Sequence, residues 1–591
     1  MDFEFDLQRW SQWNFLVPRF VASNLVFRHY WNGGCWLNKK IKRKRPEFII
    51  YSNYIMNNTN TKIVDNGFSY EKNGWKYVSI RGPPRERGHA YGLLCAKEFT
   101  DIQRTLNFNV LQSFGKEWSY FVEEINKDFK AMTETDFPEY YEEMQGIAEG
   151  CVGGGCTTTI DEILAWNFYC SMDYWLASKS DGGGAKEGGA SDRCSAFIAV
   201  GDWTADGKIV VAHNSFCEFI DGQCSNIVLD LNPPEGKGHR FIMQTSPCWI
   251  WSGTDFFVNA AGIIGTETTI GGFNKYEKNV PVGYRIRNAM QYANNMDECV
   301  GYLRDGNSGD YANSWLFGDT NTNEILRIEL GLKYDNVERT KNGFFIGFNA
   351  AYDPRIRNLE CSNHGFFDIR RHQGARHVRL NELMDLHKGK LNIEIAKQII
   401  SDHHDVYLNK DDHPCSRTVC SHYDLDAREY MSQADRPTPY KPQGAVDGIV
   451  CDTTMAENMS FSARFGNSCG TDFNKTEFCK KHIQWAMFEP YLKDRPSQPW
   501  TDFSTSDSAT DIQTPVSNPD YNEATSSSSI NEEPSSVFSS NSRSTSNNDF
   551  ISNNPFTSNS LFSSEKRKTR SKRRRLLGRK GTKGIKSSNN Y

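Results

Sequence analysis

The sequence predicts an α+β fold in which a helical block is followed by a series of antiparallel hairpins. Three observations carry that expectation. Apolar residues recur at helical spacing across residues 90–178, and beyond Cys194 short β-prone runs come in pairs separated by turn residues. Between the two textures lies Asp181-Gly182-Gly183-Gly184-Ala185-Lys186-Glu187-Gly188-Gly189, a glycine density that neither a helix nor a central strand tolerates. Strands and helices gathered in separate blocks pack as helices on sheets.

The elements follow in order. Residues 1–65 read as a poorly ordered leader with a basic cluster from Lys39 to Arg45, and 66–499 as the folded domain. Its helical part includes Phe137 to Gly150 and Thr159 to Ala177; an exposed loop over 179–193 leads into a β-rich part, 194–499. There Ser195–Val200 and Ile209–His213 flank Asp206-Gly207, a strong hairpin signal. Further pairs are Ile227–Leu231 with Phe241–Gln244, Phe256–Asn259 with Ile263–Glu267, and Trp315–Gly318 with Ile325–Glu329. Helical patterns at Val282–Leu303, Arg376–Leu386 and Ile393–Asp402 are interleaved. Residues 500–591 turn to Ser, Asn, Thr and Pro with few aliphatics, so burial cannot offset their ordering entropy and disorder is expected.

Composition bounds the function. The chain of 591 residues is long enough for a large core, and its net charge of −5 names no partner. Its 16 cysteines are scattered with no compact framework, which reads as mostly reduced thiols in a chain that has its own core. No apolar run approaches the ~20 residues that span a bilayer. The acidic start Met1-Asp2-Phe3-Glu4, and an apolar stretch from Phe15 to Phe27 broken by Arg19, make a poor secretory signal. Cytoplasm or nucleus is therefore expected over lysosome or secretion, with sequons at Asn57, Asn458 and Asn474 as the opposing observation. The tail carries 12 Lys or Arg between Lys566 and Lys586 and no aromatic residue in that run. It reads as an import signal or as a sequence-independent, salt-sensitive nucleic-acid contact; a solvated charge run is the alternative.

Chemistry concentrates at Cys194. A loop running straight into a strand-leading cysteine is where a chain can cut itself. The thiol attacks the preceding carbonyl, an N-to-S acyl shift follows, and water releases a new N-terminus. The freed α-amine, with a reference pKa of ~7.7–8.0, then accepts the thiol proton, so one residue supplies both nucleophile and base. A buried structural cysteine at a strand start is the bland alternative.

Motifs extend the reading. Cys194-Ser195-Ala196 followed by Val211-Ala212-His213-Asn214 resembles the phospholipase B-like family, as do the stretches Thr266 to Gly271 and Asn307 to Trp315, in order and approximate spacing. Glu143 to Gly150, and Asp402-His403-His404 running to Cys420-Ser421-His422, are similar to the related acyl-CoA:isopenicillin N acyltransferases. The resemblance covers about residues 75 to 495. It implies the N-terminal-nucleophile (Ntn) hydrolase fold, an αββα sandwich of two antiparallel sheets between helical layers. It also implies autocatalytic cleavage and an acyl amide or lipid ester as substrate, with acyl transfer to an amine as the alternative reaction. One departure is Arg193, where the acyltransferases carry glycine, which bears on the efficiency of self-cleavage.

Neighbouring roles follow from the resemblance. Asn313 matches an oxyanion-type Asn, with Asn259 as the second choice. His213 and Asn214 are placed to orient the cysteine amine or contact substrate, and Thr268 to bond that amine; each is equally an ordinary strand or turn residue. No cofactor is expected. The group His403, His404, His413, Cys415, Cys420 and His422 barely meets zinc-ligand spacing, with four residues between its cysteines, and reads as structure or channel lining. Gly153-Gly154-Gly155 lacks the Gly-Lys-Ser/Thr ending of a phosphate loop. The rival from another class is a binding protein that kept the fold, lost activity and reaches nucleic acid through its tail.

Overall fold

The computed structural model describes residues 61–179, 194–253, 256–362, 364–426 and 441–507. The leader's basic cluster, the glycine loop, Arg193 and the basic tail lie outside them. The strands run from Lys62 to Ser504, wider at both ends than 66–499.

In chain order, β1 (Lys62–Val64), β2 (Gly67–Lys72) and β3 (Trp75–Arg81) precede the helices α1 (Pro84–Phe114), α2 (Trp118–Asp136), α3 (Pro138–Gly153), α4 (Ile160–Asn167) and α5 (Met172–Ser178). Proline in the first turns of α1 and α3 suits positions where no backbone donor is needed, and Gly115 at φ 65° closes α1 in the left-handed region. The stretch expected as one helix from Thr159 to Ala177 is two, separated by a 3₁₀ turn at Tyr169–Ser171. Asn167 marks the break. Its Nδ2 donates to the carbonyls of Ile163 and Cys248, and its Oδ1 accepts from the Ile250 N–H.

Then come β4 (Cys194–Val200), β5 (Val210–Glu218), α6 (Phe219–Gly222), β6 (Ile227–Asn232), β7 (Phe241–Thr245), β8 (Phe256–Asn259) and β9 (Ile263–Thr269). Helices α7 (Val282–Tyr292) and α8 (Met296–Arg304) split the single helix expected over 282–303, because Asn295 caps α8 through the Glu298 N–H. They lead into β10 (Asn313–Asp319), β11 (Glu324–Leu330), β12 (Asp335–Thr340) and β13 (Gly343–Gly347). Helices α9 (His372–Leu386) and α10 (Ile393–Ile400) follow. The last described elements are β14 (Gln443–Ala445), β15 (Asp447–Asp452), α11 (Thr453–Glu457), β16 (Ser460–Phe465), α12 (Lys475–Lys481) and β17 (Thr501–Ser504).

The fold is mixed α+β with two sheets. The first has the order β1-β2-β3-β6-β7-β8-β9-β10-β11-β12; the second has β13-β4-β5-β15-β16-β17, with β14 also on β5. All named pairings are antiparallel except β3–β6, which is parallel. That exception corrects the expectation of purely antiparallel sheets. The helices and the β4–β5 hairpin intervene between β3 and β6, and a connection of that length permits parallel pairing.

Alternation along the strands builds the core. Ala196, Ile198 and Val211 of the second sheet meet Val228, Ile242, Ile264 and Leu316 of the first in one apolar cluster. Residues of the opposite parity face helices: Leu229, Met243 and Phe257 join Leu94, Met144 and Ile147, while Phe197 and Ala199 join Leu380 and Ile399. Two features bind α1 to α3. A Cβ at Gly88, Gly92, Gly146 or Gly150 would lie 2.1 Å from a carbonyl oxygen of the facing helix, so only glycine lets these backbones touch. Beside them the buried Glu143 carboxylate accepts from Arg87 Nε at 2.8 Å and from Arg287 Nη2 at 2.9 Å, tying α3 to α1 and α7. Among the described residues no helix is long and apolar enough to cross a membrane.

Candidate active site

Cys194 is the first residue of β4 and is 1% exposed. Its register partner is Ser215 on β5. Strand alternation puts its side chain on the same face as Ala196 and Ile198, which pack against the first sheet.

Two residues hold its backbone. The Cys194 N–H donates to Asn349 Oδ1 at 3.3 Å, and Arg376 Nη1 donates to the Cys194 carbonyl at 2.5 Å. The same guanidinium reaches Asn349 Oδ1 at 2.8 Å and Ser195 Oγ at 3.1 Å, while its Nε donates to the His372 carbonyl. Asn349 Nδ2 in turn donates to the Thr269 carbonyl at the end of β9, at 2.7 Å. Asn349 follows β13, the strand that pairs with β4, and sits at φ 64°, a left-handed conformation that Asn adopts more readily than most residues. Arg376 lies in α9 with its guanidinium 5.1 Å from the Phe216 ring centre.

A second layer supports the strand from behind. Asn214 Oδ1 accepts the Ser195 N–H at 3.2 Å, and its Nδ2 donates to the Ile400 carbonyl, the Val419 carbonyl and Ser468 Oγ. Ser195 Oγ also donates to the Val419 carbonyl, at 3.0 Å. Asp447 accepts the Ser215 N–H at 2.8 Å through one oxygen and Gln244 Nε2 at 2.7 Å through the other, which links the two sheets beside the cysteine. Cys194 and Ser215 border a cavity of about 50 Å³, with Cys170, Trp249 and Tyr311 among its other walls.

The sequence-predicted residues divide by place. His213 is two residues along β5 from Ser215, opposite Ala196; burial pushes its imidazole down to about 3, the nearby Glu267 backbone opposing this. Asn214 faces away from the first sheet and serves Ser195, as described. Thr268 packs against Gly347, where an added Cβ would lie 2.4 Å from the Thr268 methyl, and Gly347 pairs with Ala196. Asn313 pairs with Thr269. Both amide atoms of Asn313, and the hydroxyls of Thr268 and Thr269, are buried without a hydrogen-bond partner among the described residues. Asn259 is elsewhere. It sits at the β8–β9 turn, six residues up β9 from Thr269, or ~20 Å at strand rise. Its amide is spent on the Met290 and Ala293 carbonyls and on the Ala261 and Ile263 N–H groups, an ordinary helix-end and turn role.

Asn349 and Arg376 were not among the sequence candidates. They are 155 and 182 residues from Cys194 in sequence. An Asn after a β run looks like a turn, and Arg376 falls in a stretch legible only for its apolar spacing. A signal was present in Arg376 itself, a charged residue on the helix face that the apolar spacing assigns to the core.

No family model matches the chain. An uncharacterized protein of Archaeoglobus fulgidus is 24% identical over 254 residues, 42% of this chain. The match spans only 41% of that archaeal protein's length. Among solved structures, a variant of conjugated bile acid hydrolase from Clostridium perfringens is similar with a TM-score of 0.26 and 10% identity, over 46% of this chain and 89% of the other.

Proposed function

We propose that this protein is a self-processing cysteine hydrolase with an Ntn-type αββα sandwich, cutting itself before Cys194 and then cleaving an acyl amide or acyl ester. The observation that carries the reading is the backbone of Cys194. Its nitrogen is held by Asn349 and its carbonyl by Arg376, at the edge of a cavity and on the strand face turned to the opposite sheet. Once the 193–194 bond is cleaved, that nitrogen is the α-amine, already oriented beside its own thiol. The amine takes the thiol proton, the thiolate adds to the acyl carbonyl, and the leaving amine or alcohol departs with a proton. Water then resolves the thioester.

The developing oxyanion needs a neutral donor, and one such donor is typically worth ~2.7–4 kcal/mol of barrier. Asn313 fits that role because its buried amide has no other partner among the described residues. Helices contacting the outward faces of both sheets support the four-layer reading.

The test is a denaturing gel with N-terminal sequencing of the purified chain beside Cys194→Ala. Cleavage before Cys194 divides the 591 residues into 193 and 398. Fragments of these lengths, the larger beginning Cys-Ser-Ala and both absent from the variant, are the expected result. A chain that stays whole under every folded condition, with no outside protease able to nick it there, removes the proposal.

A further inference from the structure

Four side chains from three distant segments converge on one point near the back of this site, and they do so without help from the hydrolase reading. His403 follows α10; Cys420 and His422 flank Ser421; Cys469 follows β16. One ligand atom from each lies within 4.8 Å of all the others. Nε2 of His403 is 3.2 Å from Nε2 of His422, and that same His422 nitrogen is 3.4 Å from the sulfurs of both Cys420 and Cys469.

Hydrogen bonding does not account for this geometry. A ring nitrogen carries either one proton or one lone pair, so His422 Nε2 has a single bond to offer three neighbours. A tetrahedral cation accounts for all of them. With Zn–N of ~2.0 Å and Zn–S of ~2.3 Å, tetrahedral angles set nitrogen pairs ~3.3 Å apart and nitrogen–sulfur pairs ~3.5 Å apart. The three spacings at His422 Nε2 match these within about 0.1 Å, and the other pairs lie within 4.8 Å. The two imidazole planes are 73° apart, so the rings are not stacked on one another. Behind His422, the other ring nitrogen faces Asp424 Oδ1 at 3.5 Å, the outer carboxylate that typically orients a metal-bound histidine.

We propose that His403, Cys420, His422 and Cys469 bind one zinc(II) ion in a closed, structural Cys₂His₂ site. Two thiolates balance the ion's charge, and soft sulfur with imidazole selects zinc over magnesium or calcium. The ligand set differs from the group seen in the sequence: His404, His413 and Cys415 are out and Cys469, far along the chain, is in. The neighbouring group Asp405, His413 and Cys415 makes the contrast. Its carboxylate is already engaged by Arg417 Nε at 2.8 Å and by His413 Nδ1 at 3.1 Å, so no ion is required there.

The position gives the ion a task. Val419 and Ser468, each adjacent in sequence to a cysteine ligand, are two of the three residues that receive Asn214, and Val419 also receives Ser195. Zinc therefore clamps together the segments that support the start of β4, and Asn214 carries that support to the strand.

The experiment uses the full-length chain purified under reducing conditions without added chelator. Elemental analysis is expected to find one zinc per chain. After chelation and reloading with cobalt(II), the visible bands of tetrahedral thiolate-bound cobalt are expected, with a lowered thermal midpoint for the metal-free form. A Cys420→Ser/Cys469→Ser chain is expected to lose the metal, and Cys415→Ser to keep it. Wild-type protein that is metal-free as purified and gives no cobalt bands overturns the proposal, as does a Cys420–Cys469 disulfide found by mass spectrometry in freshly isolated protein. Full metal content in the double variant does the same. Should the double variant not fold, the wild-type cobalt spectrum decides alone.

Discussion

Individual side chains set the sharpest expectations. Arg376 is buried and holds three oxygens, two at the start of β4 and the third on Asn349 beside it. Stranding such acceptors costs about 1–3 kcal/mol each, so Arg376→Met should lower the urea-unfolding free energy by several kcal/mol and stop processing. Asn349→Ala is the gentler probe. It should leave the chain folded by circular dichroism yet slow the appearance of the cleaved ends by about a hundredfold, the usual scale for one lost positioning or oxyanion contact. His213 predicts a pH dependence. With its folded pKa depressed to about 3, the unfolded chain takes up a proton below ~6.5 that the folded chain refuses. Stability from this residue is whole above pH ~6.5 and falls by about 1.4 kcal/mol per pH unit below it. Urea titrations between pH 6 and 4 should show that slope in the wild type and its loss in His213→Leu. Cys194 stood out as a candidate in the sequence because a glycine-rich stretch precedes a strand-leading thiol. Asn349 and Arg376 were not, because the contacts that define them close only when β13 and α9 fold back over β4.

At the scale of elements, local pattern carried far and long-range pairing did not. The hairpins at Asp206-Gly207, Ala260–Gly262 and Asp319–Asn321 could be read off because turn chemistry is local. The parallel β3–β6 contact had no local signal, since its two strands are separated by the whole helical block. Nor did the crossing of α1 on α3, which rests on four glycines whose meaning appears only when the two helices are laid together. Gly92→Ala should cost about 3 kcal/mol, since the added methyl would meet the Ile147 carbonyl at 2.1 Å and a backbone cannot step aside as a side chain can. Thermal unfolding against the exposed control Gly301→Ala, which meets nothing within 4 Å, isolates the steric part.

For the whole molecule, one buried charged knot ties α3 to both α1 and α7. Burial pushes the Glu143 carboxyl up, but the guanidiniums of Arg287 and Arg87 outweigh it and hold it below the usual carboxylate range. Its contribution is therefore present above the unfolded value of ~4.3 and is lost as pH falls through the lower folded value. Glu143→Gln leaves two buried cations facing a neutral amide and should cost about 3–5 kcal/mol at neutral pH, read by denaturant titration. The position of β3 carries a different consequence. It lies inside the first sheet, between β2 and β6, although it precedes Cys194 in the chain while β6 follows it. Severing the chain before Cys194 would thus yield a heterodimer whose subunit interface is the hydrophobic core itself. The two polypeptides should elute as one species in size-exclusion chromatography and part only in denaturant, and neither should fold when expressed without the other.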